Sequence, residues 1–144
     1  MLIKQILTGK ASRPIATITP DSTLTDAANV LSSNKIGVIV VSNSGTDVVG
    51  ILSERDIVRE LGKRGSACMS DKVHEVMTSN IVTTTGDQTA ESVLAQMTAK
   101  RFRHMPVMDG DTMIGIVSIG DIVSARLSEI STEKDALQSM IMGH

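Results

Sequence analysis

The chain contains no tryptophan, no tyrosine and a single phenylalanine, Phe102. Single-stranded nucleic acid is held largely by stacking bases on such rings, so that platform is missing. A basic footprint is missing as well: 14 Lys and Arg are interspersed with 16 Asp and Glu, for a net charge of -2, and nucleic-acid binding is disfavoured. Cysteine is equally scarce. Cys68 alone can form no internal disulfide and has no Cys or His neighbour at metal-ligand spacing, which fits a reducing compartment and a packing role. No apolar stretch approaches the ~20 residues that span a bilayer, and the amphipathic start from Met1 to Leu7 lacks the apolar core of a signal peptide, so the expected location is the cytoplasm, away from membranes.

Known catalytic patterns are absent too. Neither Gly-x-Gly-x-x-Gly nor the Walker pattern occurs, and His74, His104 and His144 lie in unrelated segments that offer no metal site. Ser118, Asp121 and His104 supply the residue types of a nucleophilic triad. However, Ser and Asp three apart on one helix start cannot flank a histidine in triad order, and no Gly-x-Ser-x-Gly elbow exists. The chain therefore reads as a non-enzyme.

What is present is a duplication. Gly50-Ile51-Leu52-Ser53-Glu54-Arg55-Asp56-Ile57-Val58 returns as Gly115-Ile116-Val117-Ser118-Ile119-Gly120-Asp121-Ile122-Val123. Upstream, at a spacing of 66, Thr17, Thr19, Asp21, Thr23 and Val41 meet Thr83, Thr85, Asp87, Thr89 and Val107; downstream the spacing is 65. The lost residue falls between Val107 and Gly110, where a hairpin turn absorbs it without disturbing strand register. Two copies argue for a pseudo-symmetric pair rather than a solenoid.

Each copy follows one pattern. A Thr-rich extended stretch (16–19 and 82–85) leads through a turn to a helix, capped by Ser22 or Thr23 in the first copy, where Leu24, Ala27, Ala28 and Leu31 recur at helical spacing. In the second copy Thr89 precedes Val93, Leu94 and Met97. Buried strands at 36–41 and 102–108 join through hairpin turns to partners at 48–52 and 112–117, and helices at 54–61 and 119–130 close the copies. The pattern is β-α-β-β-α. Ile3, Ile6 and Leu7 predict a short leading helix, Val73, Val76 and Met77 an inter-repeat helix, and Leu137, Met140 and Ile141 a tail helix.

Asp56 and Asp121 sit in the first turn of a helix that starts as a strand ends. A carboxylate there can accept hydrogen bonds from two vicinal hydroxyls, as a ribose presents. The helix amides and the hydroxyls of Ser53 and Ser118 can meet phosphate or sugar oxygens. The same residues are also ordinary helix caps; their repetition favours ligand binding.

These segments, with Arg101-Phe102-Arg103-His104-Met105-Pro106-Val107-Met108-Asp109 and Val76-Met77-Thr78, resemble a tandem pair of CBS (cystathionine beta-synthase) domains, a Bateman module of the stand-alone bacterial type, over residues 3–127. The resemblance implies a mixed α+β fold of two pseudo-symmetric repeats packed sheet to sheet: residues 1–72 as repeat one with the leading helix, 73–130 as repeat two, and 131–144 as a tail. It further implies clefts between the repeats that bind an adenine nucleotide such as AMP, ATP or NAD(H), a disc-like homodimer, and regulation of a separate protein. Carried onto this sequence, the ribose role falls on Asp56 and Asp121 and a polar ligand role on Ser53 and Ser118. Arg103 and His104 group with Asp56, with Arg55 as a phosphate partner; Met105, Pro106, Gly37 and Val38 line the strand starts; and Pro14, Ile15, Ile81 and Val82 edge the adenine. Repeat one reads Lys35-Ile36-Gly37-Val38 where these cations would stand, so the Asp121 site is expected to take a less charged ligand, another part of the same ligand, or nothing. The reading from another class is an interaction module whose clefts are vestigial.

Overall fold

The computed structural model describes residues 1–10 and 15–142. In chain order the elements are α1 (Ile3–Gly9), β1 (Thr17–Ile18), α2 (Leu24–Asn34), β2 (Val38–Val41), β3 (Gly50–Ser53), α3 (Glu54–Arg64), a 3-10 turn (Gly65–Ser70), α4 (Val73–Val76), β4 (Thr84–Thr85), α5 (Ala90–Lys100), β5 (His104–Asp109), β6 (Thr112–Ser118) and α6 (Ile119–Ile141). They form two mixed three-stranded sheets, β1-β2-β3 and β4-β5-β6. The duplication is kept down to register: Ile18 pairs with Val41 in parallel, and 66 residues on Thr84 pairs with Val107 in the same way.

Capping chemistry places the helices alike in both copies. The Thr23 hydroxyl accepts from the Asp26 N–H to start α2, and the Thr89 hydroxyl accepts from the Ser92 N–H to start α5. Both helices then stop on a residue in the left-handed region, Lys35 at φ 53° and Arg101 at φ 58°.

One compact unit comprises residues 13–82 with 110–114. Its core gathers Leu24, Ala27 and Leu31 of α2, Ile39 and Val41 of β2, Leu52 and Ile57, with Cys68 packed among them and Val73. The lone thiol is thus a core filler. The other unit comprises residues 1–12, 83–109 and 115–144. It buries Ile3 and Ile6 of α1, Ala90, Val93 and Met97 of α5, Met105 and Val107 of β5, Val117 and Ile122.

Two sequence expectations change. The leading helix belongs with the second copy, not the first: the N–H groups of Ile3 and Lys4 donate to the carbonyls of Gln88 and Gly86 at 2.9 Å each, and a methyl at Gly86 would lie 3.2 Å from Lys4 Cβ. Conversely, the inter-repeat helix belongs with the first copy, since Val73 N–H donates to the Ser22 carbonyl at 2.7 Å and Thr78 exchanges hydrogen bonds with Ile51. The lead-in helices are too short for periodicity to say which copy they pack on. Secondly, the tail is no separate helix. α6 runs unbroken for 23 residues, because nothing between Ile130 and Leu137 is a glycine or proline that would end it.

Candidate functional site

In each copy a strand passes into a helix with no intervening residue: β3 ends at Ser53 and α3 begins at Glu54, and β6 ends at Ser118 where α6 begins at Ile119. The junction is closed by a reciprocal cap. Ser53 N–H donates to Asp56 Oδ2 at 2.9 Å and Asp56 N–H donates to Ser53 Oγ at 3.2 Å; for Ser118 and Asp121 the same bonds measure 2.9 and 3.0 Å. The preceding strand start is tied to the same turn. Glu54 N–H donates to the Gly37 carbonyl at 2.9 Å, and Ile119 N–H to the Arg103 carbonyl at 2.8 Å. The backbone itself therefore brings Gly37 and Val38 to Ser53 and Asp56, and Arg103 and His104 to Ser118 and Asp121.

The two junctions differ in what surrounds the carboxylate. Asp56 is buried, and its free oxygen Oδ1 accepts from Arg59 at 2.8 Å. Arg55, the phosphate partner that the resemblance implies, is exposed. The Glu54 carboxylate stands over Gly37, where a methyl group would lie 3.3 Å from Glu54 Oε1. At the other junction Lys10, one residue past α1, donates to Asp121 Oδ2 at 2.8 Å and to the Ile116 carbonyl at 3.0 Å. Asp121 Oδ1 accepts from none of the described residues. Burial would raise the Asp121 pKa, but the hydrogen bond from Lys10, the Ser118 N–H and the Lys10 charge hold it below the ordinary value. His104, half-buried on β5, is shifted down: burial dominates, Asp121 opposes it, and the charges of Lys10 and Arg103 reinforce it. The imidazole is therefore neutral at pH 7 and can donate or accept a hydrogen bond.

The cations thus gather on the Asp121 junction. Within their own unit Arg103 and His104 lie at the start of α6, with Lys10 beside Asp121. Lys10 was missed because it stands 111 residues from Asp121 and has no counterpart signal in the motif. The side chains of Met105 and Pro106 are buried and serve the core. Ile15 lies half-buried just before β1, and Ile81 and Val82 half-buried before β4. Pro14 lies outside the described residues. Among the described residues no group of three His, Cys, Asp or Glu side chains could hold a metal, and no helix is long and apolar enough to cross a membrane.

The family model for the CBS domain matches twice, over residues 3–63 and 73–128. The chain belongs to the CBS domain family. As a CBS pair it is similar to a CBS-domain containing protein from Agrobacterium tumefaciens, with 37% identity, 88% of this chain and 99% of that chain covered, and a TM-score of 0.81. It is 35% identical over 129 residues to the mitochondrial CBS domain-containing protein CBSX3 of Arabidopsis thaliana, covering 87% of this chain but only 63% of that longer protein. A solved CBS domain pair, of protein MJ0100 in complex with 5-methylthioadenosine and S-adenosyl-L-methionine, matches at 25% identity with a TM-score of 0.76, covering 90% of this chain and 98% of that one.

Proposed function

We propose that this CBS pair is a non-catalytic regulatory module that binds an adenine nucleotide, with AMP, ATP and NAD(H) as the leading ligands, and so modulates a separate protein in the cytoplasm. The observation that carries this reading is the duplicated, capped carboxylate at a strand-to-helix junction, with Asp121 Oδ1 accepting from none of the described residues beside Lys10. A carboxylate held by its own helix start is fixed in place and keeps an oxygen for a ribose diol, while Lys10, Arg103 and the α6 amides favour phosphate. The ligands of the MJ0100 pair, which carry an adenosine group without phosphate, support the adenosine part of this reading. At Asp56 the ribose would take the place of Arg59, which makes the Asp121 junction the higher-affinity one.

Ligand acts by population shift: it stabilises one conformation of the pair and changes the surface offered to a partner or to a second copy. The clefts named above are then read by titration calorimetry with AMP, ATP, NAD, NADH and S-adenosylmethionine on nucleotide-free protein. Asp121→Ala is expected to weaken binding by about 1.5–3 kcal/mol, the range for hydrogen bonds to a charged group, and the double variant with Asp56→Ala to abolish it. Unchanged affinity in the double variant would reject the site. Absence of binding by all five ligands would favour the second reading, an interaction module, which the exposed apolar residues of α6 support.

A further inference from the structure

A cleft separate from the strand-to-helix junctions opens between the end of α2 and the start of α3, with a volume of about 510 Å³, the size of many small-molecule sites. Neither Ser53 nor Asp56 lines it, so it is not the capped junction described above. Its walls are mainly apolar. Leu31 and Ile57 are 5% and 6% exposed, Ala28 and Ile36 are half-buried, and Val58 is exposed at the side. Local chemistry makes the room. Ala28 gives the α2 wall only a methyl group, and the left-handed turn at Lys35, with Ile36 N–H donating to the Leu31 carbonyl at 3.1 Å, folds Ile36 back along the helix end.

Two opposite charges flank this apolar wall, Lys35 and Glu54. Neither forms an ion pair among the described residues. Glu54 is held in place: its N–H donates to the Gly37 carbonyl at 2.9 Å, and a methyl group at Gly37 would crowd its Oε1 at 3.3 Å. The carbonyl end of α2 adds partial negative charge on the same side, so an ammonium is favoured there. Lys35 answers a carboxylate.

We propose that this cleft binds a free α-amino acid with a bulky apolar side chain, of the leucine or methionine class. Glu54 takes the ammonium, Lys35 the carboxylate, and Leu31, Ile36 and Ile57 the side chain. Charge complementarity selects this ligand. A fatty acid leaves Glu54 unanswered, a simple amine leaves Lys35 unanswered, and a nucleotide brings anionic charge with no cation for Glu54. The cleft binds whether or not the junctions hold a nucleotide, because the two share neither carboxylate nor hydroxyl.

The test is a methyl NMR titration of the full chain with L-leucine and with L-methionine. Saturable shifts are expected at Leu31, Ile36, Ile57 and Val58, with Val117 and Ile122, which flank the Asp121 junction, unmoved. 4-Methylpentanoate lacks the ammonium and 3-methylbutylamine lacks the carboxylate; each is expected to bind about tenfold more weakly than leucine, the scale of one hydrogen bond to a charged group. Glu54→Gln is expected to weaken leucine about tenfold and to leave 4-methylpentanoate unchanged, a split that a folding defect does not produce. Ala28→Leu keeps a strong helix former and fills the wall, and is expected to abolish the shifts without lowering the thermal melt. No saturable shift with either amino acid would overturn the proposal, as would equal binding of leucine and 3-methylbutylamine, or shifts that survive Ala28→Leu. AMP titrated into the same samples reads the nucleotide site separately: a response to leucine with none to AMP upholds this cleft and rejects the nucleotide reading alone.

Discussion

Replacing Lys10 with methionine keeps the stem of the side chain and removes the charge on Asp121. Lys10 and Asp121 are 36% and 23% exposed at the side chain. Ion pairs that open to solvent contribute about 0.2–1 kcal/mol; this one also fixes the Ile116 carbonyl, so the upper end, about 1 kcal/mol, applies. For a chain of this length that is roughly 3 °C in Tm. The signature that a mere packing defect would lack lies in His104. Burial lowers its pKa, Asp121 raises it, and the Lys10 and Arg103 charges lower it further. Without the ammonium the Asp121 contribution is less opposed, and the His104 pKa rises. The pH dependence follows. Asp121 has a depressed pKa in the folded protein, so its contribution is full above the unfolded value of about 3.9 and is lost as pH falls through the lower folded value. His104, also depressed, costs stability as pH drops below its unfolded value of about 6.5. The His104 cost shrinks in Lys10→Met, so wild type loses more Tm on acidification from pH 7 to pH 4 than the variant does; the Asp121 contribution is lost only below about pH 4. The assay is an NMR titration of the His104 ring paired with thermal melts at pH 7, 5 and 4. A His104 pKa that stays put or falls in Lys10→Met would refute the reasoning.

Gly50→Ala is expected to destabilise by about 1–3 kcal/mol, because its methyl would run into Met77 Sδ and lie 3.1 Å from the Thr78 carbonyl oxygen, which is backbone and cannot swing away; urea unfolding measures it, with Gly9→Ala, in open space, as the reference. Arg101→Gly should raise stability by about 0.5–1 kcal/mol, since a left-handed residue costs roughly 1–2 kcal/mol that glycine avoids, less glycine's own entropy; a lower Tm would contradict it. Asp47 Oδ1 accepts from Ser42 Oγ at 2.6 Å, Ser44 Oγ at 2.7 Å and the N–H groups of Ser44 and Asn43. These bonds, the Ser42 hydroxyl first, hold its carboxyl well below the usual range. Its stabilisation is present above the unfolded pKa and lost as pH falls through the folded one, so the Tm gap between wild type and Asp47→Asn narrows from pH 5 towards pH 2.

Where one face of an element is dictated by local chemistry, the sequence was legible. Thr23 and Thr89, Ser53 and Ser118 announced their helices because a hydroxyl cap needs only the amides two or three residues on. The duplication was legible because the spacing of 66 carries Thr17, Thr19 and Val41 onto Thr83, Thr85 and Val107; the parallel pairing of Ile18 with Val41 and of Thr84 with Val107 was not, since it joins segments that no turn connects directly. The identity of the carboxylates' neighbours was not. Arg59 reaches Asp56 by one helical turn, and Lys10 reaches Asp121 only because α1 docks on the second copy. Such long-range placement depends on how a seven-residue helix packs, which its own periodicity does not encode. The motif fixed which carboxylates repeat; tertiary packing decided which of them carries the positive charge.

The unbroken course of α6 gives the second junction mechanical reach. Asp121 sits in its first turn and Ile141 at its last residue, 20 residues apart, or about 30 Å along the helix axis. A ligand that tilts the start of α6 by about 5° would swing its far end sideways by roughly 2.6 Å. On the proposed function, occupancy at Asp121 would be felt at the opposite end of the helix without any rearrangement of the strands. α6 is a lever as well as a wall of the site.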